Sequence, residues 1–209
     1  SLPVKIAPMD LEEKTVLDVC CAPGGKSFQL ADKGANLTSI DKSERRLKLM
    51  KENLDRLNYD LDLICKDVFE YQPKNRFDII LLDPPCTATG TIGKNPDLQF
   101  LNPLDKLEEL LDIQHKMLKR CASWLQDDGY IIYSVCSLLK EEGEDQISRF
   151  LKKNKEFCLV YPKKKGFLDQ EGYETNKECG IRIMPFFEEG LGGTEGFFIA
   201  YLHLKGKSN

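Results

Sequence analysis

From residue 15 to residue 135, short β-rich runs alternate with helical stretches, and such a chain has few ways to bury both kinds of element. Strand runs are read at 15–19, 37–40, 61–65, 77–82 and 130–135, the last opened by Gly129. Helices are read at 26–33, with Gly34 as its stop, at 43–57 and from about 103 to 125. Leu47, Met50, Leu54 and Leu57 fall on one face of the second helix, and Leu107, Leu111, Leu118 and Leu125 form the expected buried positions of the third. The alternation predicts an α/β protein with a doubly wound, mostly parallel sheet. The end of the chain departs from it. Residues 181–187 and 196–204 read as two strands joined through Gly190-Leu191-Gly192-Gly193, a C-terminal antiparallel hairpin, and 169–180 reads as a polar, mobile loop.

A chain of 209 residues supports one substantial core, so a single domain over 1–209 is expected. There is no uncharged apolar run of the ~18 residues that crosses a bilayer, and the first ten residues carry no secretory signal pattern. Thirty Lys and Arg face 34 Asp and Glu, a net charge of −4, with 14 against 16 up to residue 100. Bulk positive charge therefore cannot hold a nucleic acid; a local patch or another domain would have to. Lys152, Lys153, Lys155, Lys163, Lys164 and Lys165 make one such patch, whereas the charges of 42–56 read as a solvated helix face. None of the eight cysteines forms a C-x-x-C pair and there are two histidines, so no metal site is expected. Cys20, Cys21, Cys65, Cys86 and Cys136 sit in or beside apolar runs, as buried reduced thiols of a cytoplasmic protein would. His115 and His203 read as structural.

Ligands of open α/β sheets bind beyond the carboxyl ends of the strands, and the informative residues lie there. The first strand runs into Cys20-Cys21-Ala22-Pro23-Gly24-Gly25-Lys26, the second ends at Asp41, Asp67 follows the third, and the fourth ends in Asp83-Pro84-Pro85-Cys86. Glycines at a helix start let the backbone approach an anionic group, and a strand-end Asp suits a ribose diol. A nucleoside-containing cofactor is the reading. A P-loop fails because its first glycine position is Cys20, and a dinucleotide fingerprint fails because Gly24 is followed by Gly25-Lys26-Ser27. Two prolines after Asp83 stop the ladder and stiffen the turn that carries Cys86. The fifth strand ends in Ser134-Val135-Cys136-Ser137, so two thiols would converge on one crevice.

Taken together, Asp18-Val19-Cys20-Cys21-Ala22-Pro23-Gly24-Gly25-Lys26-Ser27, Asp83-Pro84-Pro85-Cys86-Thr87-Ala88-Thr89-Gly90 with Asn95-Pro96-Asp97, Ser134-Val135-Cys136-Ser137 and Gly196-Phe197-Phe198-Ile199-Ala200 resemble, in order, the signatures of the Sun/Fmu-type (Nop2/Sun) RNA cytosine-5 methyltransferases. The stretch from Thr87 to Asp97 is most similar to the bacterial small-subunit ribosomal RNA branch. The resemblance implies a class I methyltransferase (Rossmann-like) fold, S-adenosylmethionine as cofactor, and RNA as partner, ribosomal RNA ahead of transfer RNA, with a monomer expected. It implies that Cys20, Cys21, Ala22, Pro23, Gly24, Gly25 and Lys26 line the methionine end of the cofactor, Asp41 its ribose and Asp67 its adenine, with Asp83 between cofactor and base. It further implies Cys136 as the nucleophile and Cys86 as the residue that assists product release. The residues alone leave the two thiols unranked, since DNA cytosine-5 enzymes use a Pro-Cys nucleophile similar to Pro85-Cys86. Val135 and Gly93 depart from the family pattern, where Thr and a cation are usual, and the family's upstream RNA-binding region is not seen before the first strand.

The implied chemistry asks for these groups. Carbon 5 of cytosine is too weak a nucleophile until a thiolate adds at carbon 6, and an acid such as Asp83 would stabilise charge at ring nitrogen 3. A free thiol titrates near ~8.5, so a cation is needed beside it, for which Lys26 is the candidate. The target base would be single-stranded or flipped out. Two alternatives stand. Asp83-Pro84-Pro85 is similar to the D-P-P-Y motif of amino-group methyltransferases, although Cys86 cannot stack on a base, and a catalytically idle RNA-binding module of the same fold would keep the loops without turnover.

Overall fold

A computed structural model describes residues 1–101, 103–162, 173–176, 178–185 and 194–206. The elements in chain order are α1 Leu2–Lys5, β1 Thr15–Val19, α2 Gly25–Asp32, β2 Asn36–Asp41, α3 Glu44–Leu57, β3 Asp62–Cys65, β4 Phe77–Leu82, α4 Leu107–Ser123, β5 Leu125–Val135, α5 Glu144–Lys153, β6 Phe157–Val160, β7 Tyr173–Asn176, β8 Gly180–Ile183 and β9 Phe197–Leu204. Three 3-10 turns lie between β4 and α4. The strands form one sheet in the order β3-β2-β1-β4-β5-β9-β8-β7. Pairing is parallel from β3 to β5 and antiparallel beyond. β9 is long enough for β8 to pair with its first half and β6 with its second.

Both faces of the parallel part are covered, so its strands are apolar at nearly every position. Leu17, Val19, Ile80, Leu82, Ile131, Tyr133 and Val135 face one side, packed with Met117 and Leu118 of α4 and Ile147 and Phe150 of α5. Val16, Ile79, Leu81 and Ile132 face the other, with Leu30 of α2 and Val4 of α1. Residues two apart thus share a cluster and neighbours do not, as the pleat requires. Among the described residues no helix is long and apolar enough to cross a membrane.

The expected strands and helices of the parallel half are all present, and the C-terminal strands pair antiparallel, Ile181 opposite Ile199. The joining Gly190-Leu191-Gly192-Gly193 and residues 186–187 lie outside the described residues. Several expectations need correction. The third helix begins with a 3-10 turn at Pro103–Lys106 and ends at Ser123, and Leu125 already pairs with Phe77 as the first residue of β5. A register shift with Asp128 at φ 66 separates this pair from the main run of β5, which is why Gly129 looks like the start. The buried face of α4 is Gln114, Met117, Leu118 and Cys121, with Leu107 and Leu111 half-buried. Leu57 is exposed because α3 ends there against the left-handed Asn58. Cys65, on the edge strand β3, is exposed rather than buried. Part of the expected loop 169–180 is strand β7, whose polar sequence reflects its place at the sheet edge, paired with β8 from Tyr173 to Asn176. Lys152 and Lys153 form the last turn of α5, where cations suit the helix dipole; Lys163, Lys164 and Lys165 lie outside the described residues.

Leu118 is fully buried and Leu49 is half exposed. Leu118→Ala is expected to lower unfolding stability by about 2–5 kcal/mol, and Leu49→Ala by less than about 0.5 kcal/mol, both read from urea denaturation.

Candidate active site

The strand order reverses at β1: the chain moves outward through β2 and β3, then returns to place β4 on the other side of β1. A crevice opens outside the carboxyl ends at such a switch point. Parallel register puts Val19 beside Leu82 and Leu82 beside Tyr133, so the residues leaving β1, β4 and β5 meet there.

The loop after β1 is fastened at both ends. Cys20, at φ 62, and Cys21 both donate their N–H to the carbonyl of Ile40 at 2.9 and 3.2 Å, and the N–H of Gly24 donates to the carbonyl of Cys21 at 2.8 Å. The Ala22–Pro23 peptide is cis. Gly24 has φ +103, and a Cβ there would lie 2.9 Å from the Phe28 ring, so this position needs glycine. A Cβ on Gly25 would meet nothing within 4 Å: the first turn of α2, with no side-chain cap, faces open space. Asp41, 5% exposed at the end of β2, accepts the N–H of Ala22 at 3.2 Å and of Ser43 at 2.9 Å, and pairs with Arg46 at 3.5 Å. Arg46 also donates to the carbonyl of Ala22. By sequence that arginine belongs to a solvated charge run; its position next to a strand-end Asp is the signal that singles it out. Asp67 stands apart, beyond β3 at the far end of the same row, its carboxylate accepting the N–H of Phe69 at 2.9 Å.

Lys26 reaches across the crevice to Asp83, Nζ to Oδ2 at 2.5 Å. Burial pulls the lysine's pKa down, but the charge and hydrogen bond of Asp83, with Asp18 and Cys136 behind them, outweigh it and hold it above its ordinary value. Beside this pair the sulfurs of Cys86 and Cys136 lie 3.4 Å apart. Two thiols at that distance do not both ionise. The hydrogen bond from Cys86, helped by Lys26, lowers the pKa of Cys136 against burial and the Asp83 charge. The same hydrogen bond, then burial and the negative charges of Cys136 and Glu142, raise Cys86. Burial and the Asp41 charge push Cys20 up to about 12. Among the thiols at these strand ends, Cys136 alone is shifted toward thiolate.

The loop bearing Cys86 is held against the loop bearing Cys136. The N–H of Gly90 donates to the carbonyl of Cys136 at 3.0 Å and that of Gly196 to the carbonyl of Gly90 at 2.9 Å. A Cβ on Gly90 would fall 1.8 Å from the Gly196 oxygen, so no other residue fits there. Gly90 and Gly196 are the last and first residues of two motifs, and their spacing gives no hint that they touch. Asp18, the first residue of the loop motif, is a further residue of the crevice that was not among the expected site residues. It is the one buried polar side chain of β1, accepting the Ser27 hydroxyl at 2.5 Å through one oxygen while the other has no partner among the described residues. A lone Asp within Thr-Val-Leu-Asp-Val is the signal that marks it. His203, paired to Asp128 at 2.7 Å, lies at the opposite end of the sheet from the crevice. Among the described residues no group of three His, Cys, Asp or Glu side chains is placed to hold a metal ion.

The sequence profile of the 16S rRNA methyltransferase RsmB/F family matches residues 5–203. The chain belongs to this family. It is 35% identical over 192 residues to the ribosomal RNA small subunit methyltransferase B of Shewanella oneidensis, covering 90% of this chain and 42% of that protein. It is 36% identical over 200 residues to the protein of the same name from Yersinia enterocolitica, covering 93% of this chain and 43% of the relative. The chain thus spans about two fifths of the length of these curated relatives. Among solved structures it superposes on NSun6 from Pyrococcus horikoshii, crystallised with SFG, with a TM-score of 0.80 and 28% identity over 97% of this chain and 52% of that one. A methyltransferase homolog protein from Pyrococcus horikoshii gives a TM-score of 0.74 and 29% identity, covering 96% of this chain and 64% of its own. The fold of this RsmB/F member is therefore the class I methyltransferase fold, a mostly parallel sheet with antiparallel strands toward its carboxyl terminus.

Burial raises Asp18 from 3.8 to about 7 against the Ser27 hydrogen bond and Lys26. Between those two values the folded chain binds the extra proton, so the group's contribution to stability is full below 3.8 and is lost as pH rises through about 7. Asp18→Asn is expected to flatten this part of the profile and to be the more stable form at pH 8 by a few kcal/mol, a tenfold change in proton affinity being worth about 1.4 kcal/mol. Urea denaturation at a series of pH values measures both effects.

Proposed function

We propose that this chain is the catalytic domain of an S-adenosylmethionine-dependent RNA (cytosine-5)-methyltransferase acting on small-subunit ribosomal RNA, with Cys136 as nucleophile. The observation that carries the reading is the pair of thiols in contact beside Asp83 and Lys26, one of them shifted toward thiolate. Amino-group methylation gives that pair no task. The RsmB/F family is named for 16S rRNA, which is why ribosomal RNA is preferred over transfer RNA.

The residues fit the cofactor. The uncapped start of α2 and the open space at Gly25 leave room and free N–H groups for its methionine carboxylate, the oxygens of Asp41 retain acceptor capacity for a ribose diol, and Asp67 lies further along the row for the adenine. S-adenosylmethionine supplies a methyl group on a positively charged sulfur. The protein's part is the activation of the base. The Cys136 thiolate, with Lys26 near it, adds to carbon 6, and the electron pair displaced from the 5,6 double bond makes carbon 5 nucleophilic while Asp83, having taken a proton from its partner Lys26, acts as the acid that neutralises the negative charge at nitrogen 3. After carbon 5 has taken the methyl group, its proton is lost to a base, the double bond re-forms and the Cys136 thiolate leaves. Cys86, a neutral thiol in contact with Cys136, assists that release.

Nucleoside mass analysis of unmodified small-subunit ribosomal RNA, incubated with the protein and S-adenosylmethionine, is expected to show new 5-methylcytosine. New methyladenosine would replace this reading by amino-group transfer. Cys136→Ala is expected to lower product formation by at least about a thousandfold while cofactor affinity stays unchanged. Cys86→Ala should leave a covalent RNA–protein band on a denaturing gel. The band with Cys136→Ala instead would exchange the two roles.

A further inference from the structure

Glu142, in the segment between β5 and α5, is fully buried. One carboxylate oxygen accepts the N–H of Thr87 at 3.0 Å and the Nε2 of Gln114 at 2.8 Å; the other accepts the Thr87 hydroxyl. Gln114 Nε2 also donates to the carbonyl of Pro85 at 3.0 Å. The carboxylate is thus bonded directly to the residue after Cys86 and, through Gln114, to the residue before it. Across the gap, the hydroxyl of Ser137, the residue after Cys136, lies 3.1 Å from the Thr87 hydroxyl and 3.2 Å from that of Thr89. Tyr133, on β5, donates to the carbonyl of Glu142 at 2.8 Å.

All the donors to this carboxylate are neutral, and among the described residues no cation pairs with it. A buried carboxylate without a counter-ion costs stability that an apolar side chain in its place would not. Stability does not account for it, and its hydrogen bonds run to the residues on either side of Cys86.

We propose that Glu142 is a positioning residue for the methyl transfer, its carboxylate holding the Cys86 turn against the Cys136 loop and so setting the contact between the two sulfurs. This rests on the reading of Cys136 as nucleophile and Cys86 as release residue. Charge acts in the same direction as geometry. The titratable and charged groups facing the thiol pair are Asp83 at the end of β4, Lys26 on α2, Tyr133 on β5 and Glu142 before α5. Lys26 stands with Cys136, whereas Glu142 adds its negative charge on the Cys86 side. Loss of Glu142 would loosen the Cys86 turn, and with it the hydrogen bond to Cys136 that chiefly raises that thiol, and would remove one of the negative charges that add to the effect.

Glu142→Gln keeps the side chain's size, removes its charge and turns one acceptor into a donor facing donors. The measurement is iodoacetamide alkylation of Cys86 and Cys136 across pH, in reducing buffer, resolved by mass spectrometry on the protein alone. In the wild type Cys136 is expected to react at lower pH and faster; in Glu142→Gln the ratio of the two rates should fall at least about tenfold. With S-adenosylmethionine and ribosomal RNA, turnover of the variant should fall up to about 100-fold, with the covalent band persisting and cofactor affinity unchanged. Thr87→Val, which removes one hydrogen bond to the same carboxylate, should shift the ratio in the same direction by less, and it decides the matter if Glu142→Gln does not unfold cooperatively. Wild-type alkylation profiles in the variants would overturn the proposal. A wild type that makes no 5-methylcytosine while its thiol ratio still depends on Glu142 would overturn the proposed function and leave the positioning role standing.

Discussion

The pairing of β4 with the free edge of β1, rather than with β3, is the constraint on which the site depends. It splits the chain into two wings that leave β1 in opposite directions, and the loops at the carboxyl ends of β1 and β4 diverge over the gap. Everything that distinguishes this crevice from an ordinary turn follows from which residues leave those strands. β1 delivers a glycine loop fastened to β2, β4 delivers Asp83 and a turn stiffened by Pro84 and Pro85, and β5, one strand further, delivers Cys136. No long-range hydrogen bond could gather these groups if the sheet order were different.

Within that frame, electrostatics ranks groups that chemistry alone would not. Burial pushes thiols up here, and the negative field of three carboxylates, Asp41, Asp83 and Asp18, on adjacent strands adds to it, as it does for Cys20. Cys136 escapes because it accepts a hydrogen bond from Cys86 and lies near Lys26. The ion pair of Lys26 with Asp83 therefore has two consequences. It keeps the ammonium charged although the lysine is largely buried, and it places that charge where it helps to lower the pKa of Cys136. An isolated Cys at a strand end is usually inert; here the partner sulfur supplies what makes it otherwise.

The parallel half of the fold was legible because strands buried on both faces must be apolar throughout, and a helix of fourteen residues such as α3 shows its stripe. Strand ends followed by Gly, Pro, Cys or Asp then marked most of the crevice, including both thiols. Most of the elements that stayed hidden lie after β5, where the regular strand–helix alternation and its strand-end motifs give way: α5, β6 and β7 are no shorter than α2 and β3, but nothing in the order of the chain places them. Gln114 looks like a polar interruption of an apolar face, and Glu142 like one acidic residue among several; burial and partners are properties of the folded chain. The ranking of Cys86 and Cys136 by their residues was equally out of reach, since both follow apolar strands, and what separates them is the hydrogen bond between the sulfurs together with the charges of Lys26 and Glu142, which only the folded chain brings to them.

The antiparallel end of the sheet, the part least like the rest, completes the crevice for a geometric reason. A strand running against β5 begins where β5 ends, so the residue leading into β9 arrives at the same edge as Cys136. That residue is Gly196, and its contact with Gly90 closes a chain of backbone hydrogen bonds from β9 through the Cys86 loop to the carbonyl of Cys136. β8, next in order, brings Arg182 to the carbonyls of Ser137 and Leu139, at 2.9 and 3.3 Å, while its guanidinium pairs with Glu144 at the start of α5. A parallel strand in the place of β9 would begin at the far end of the sheet, and its lead-in residue would not lie against Gly90 as Gly196 does. The change of direction after β5 is therefore part of the site: it supplies the wall against which two sulfurs from different strands are held in contact.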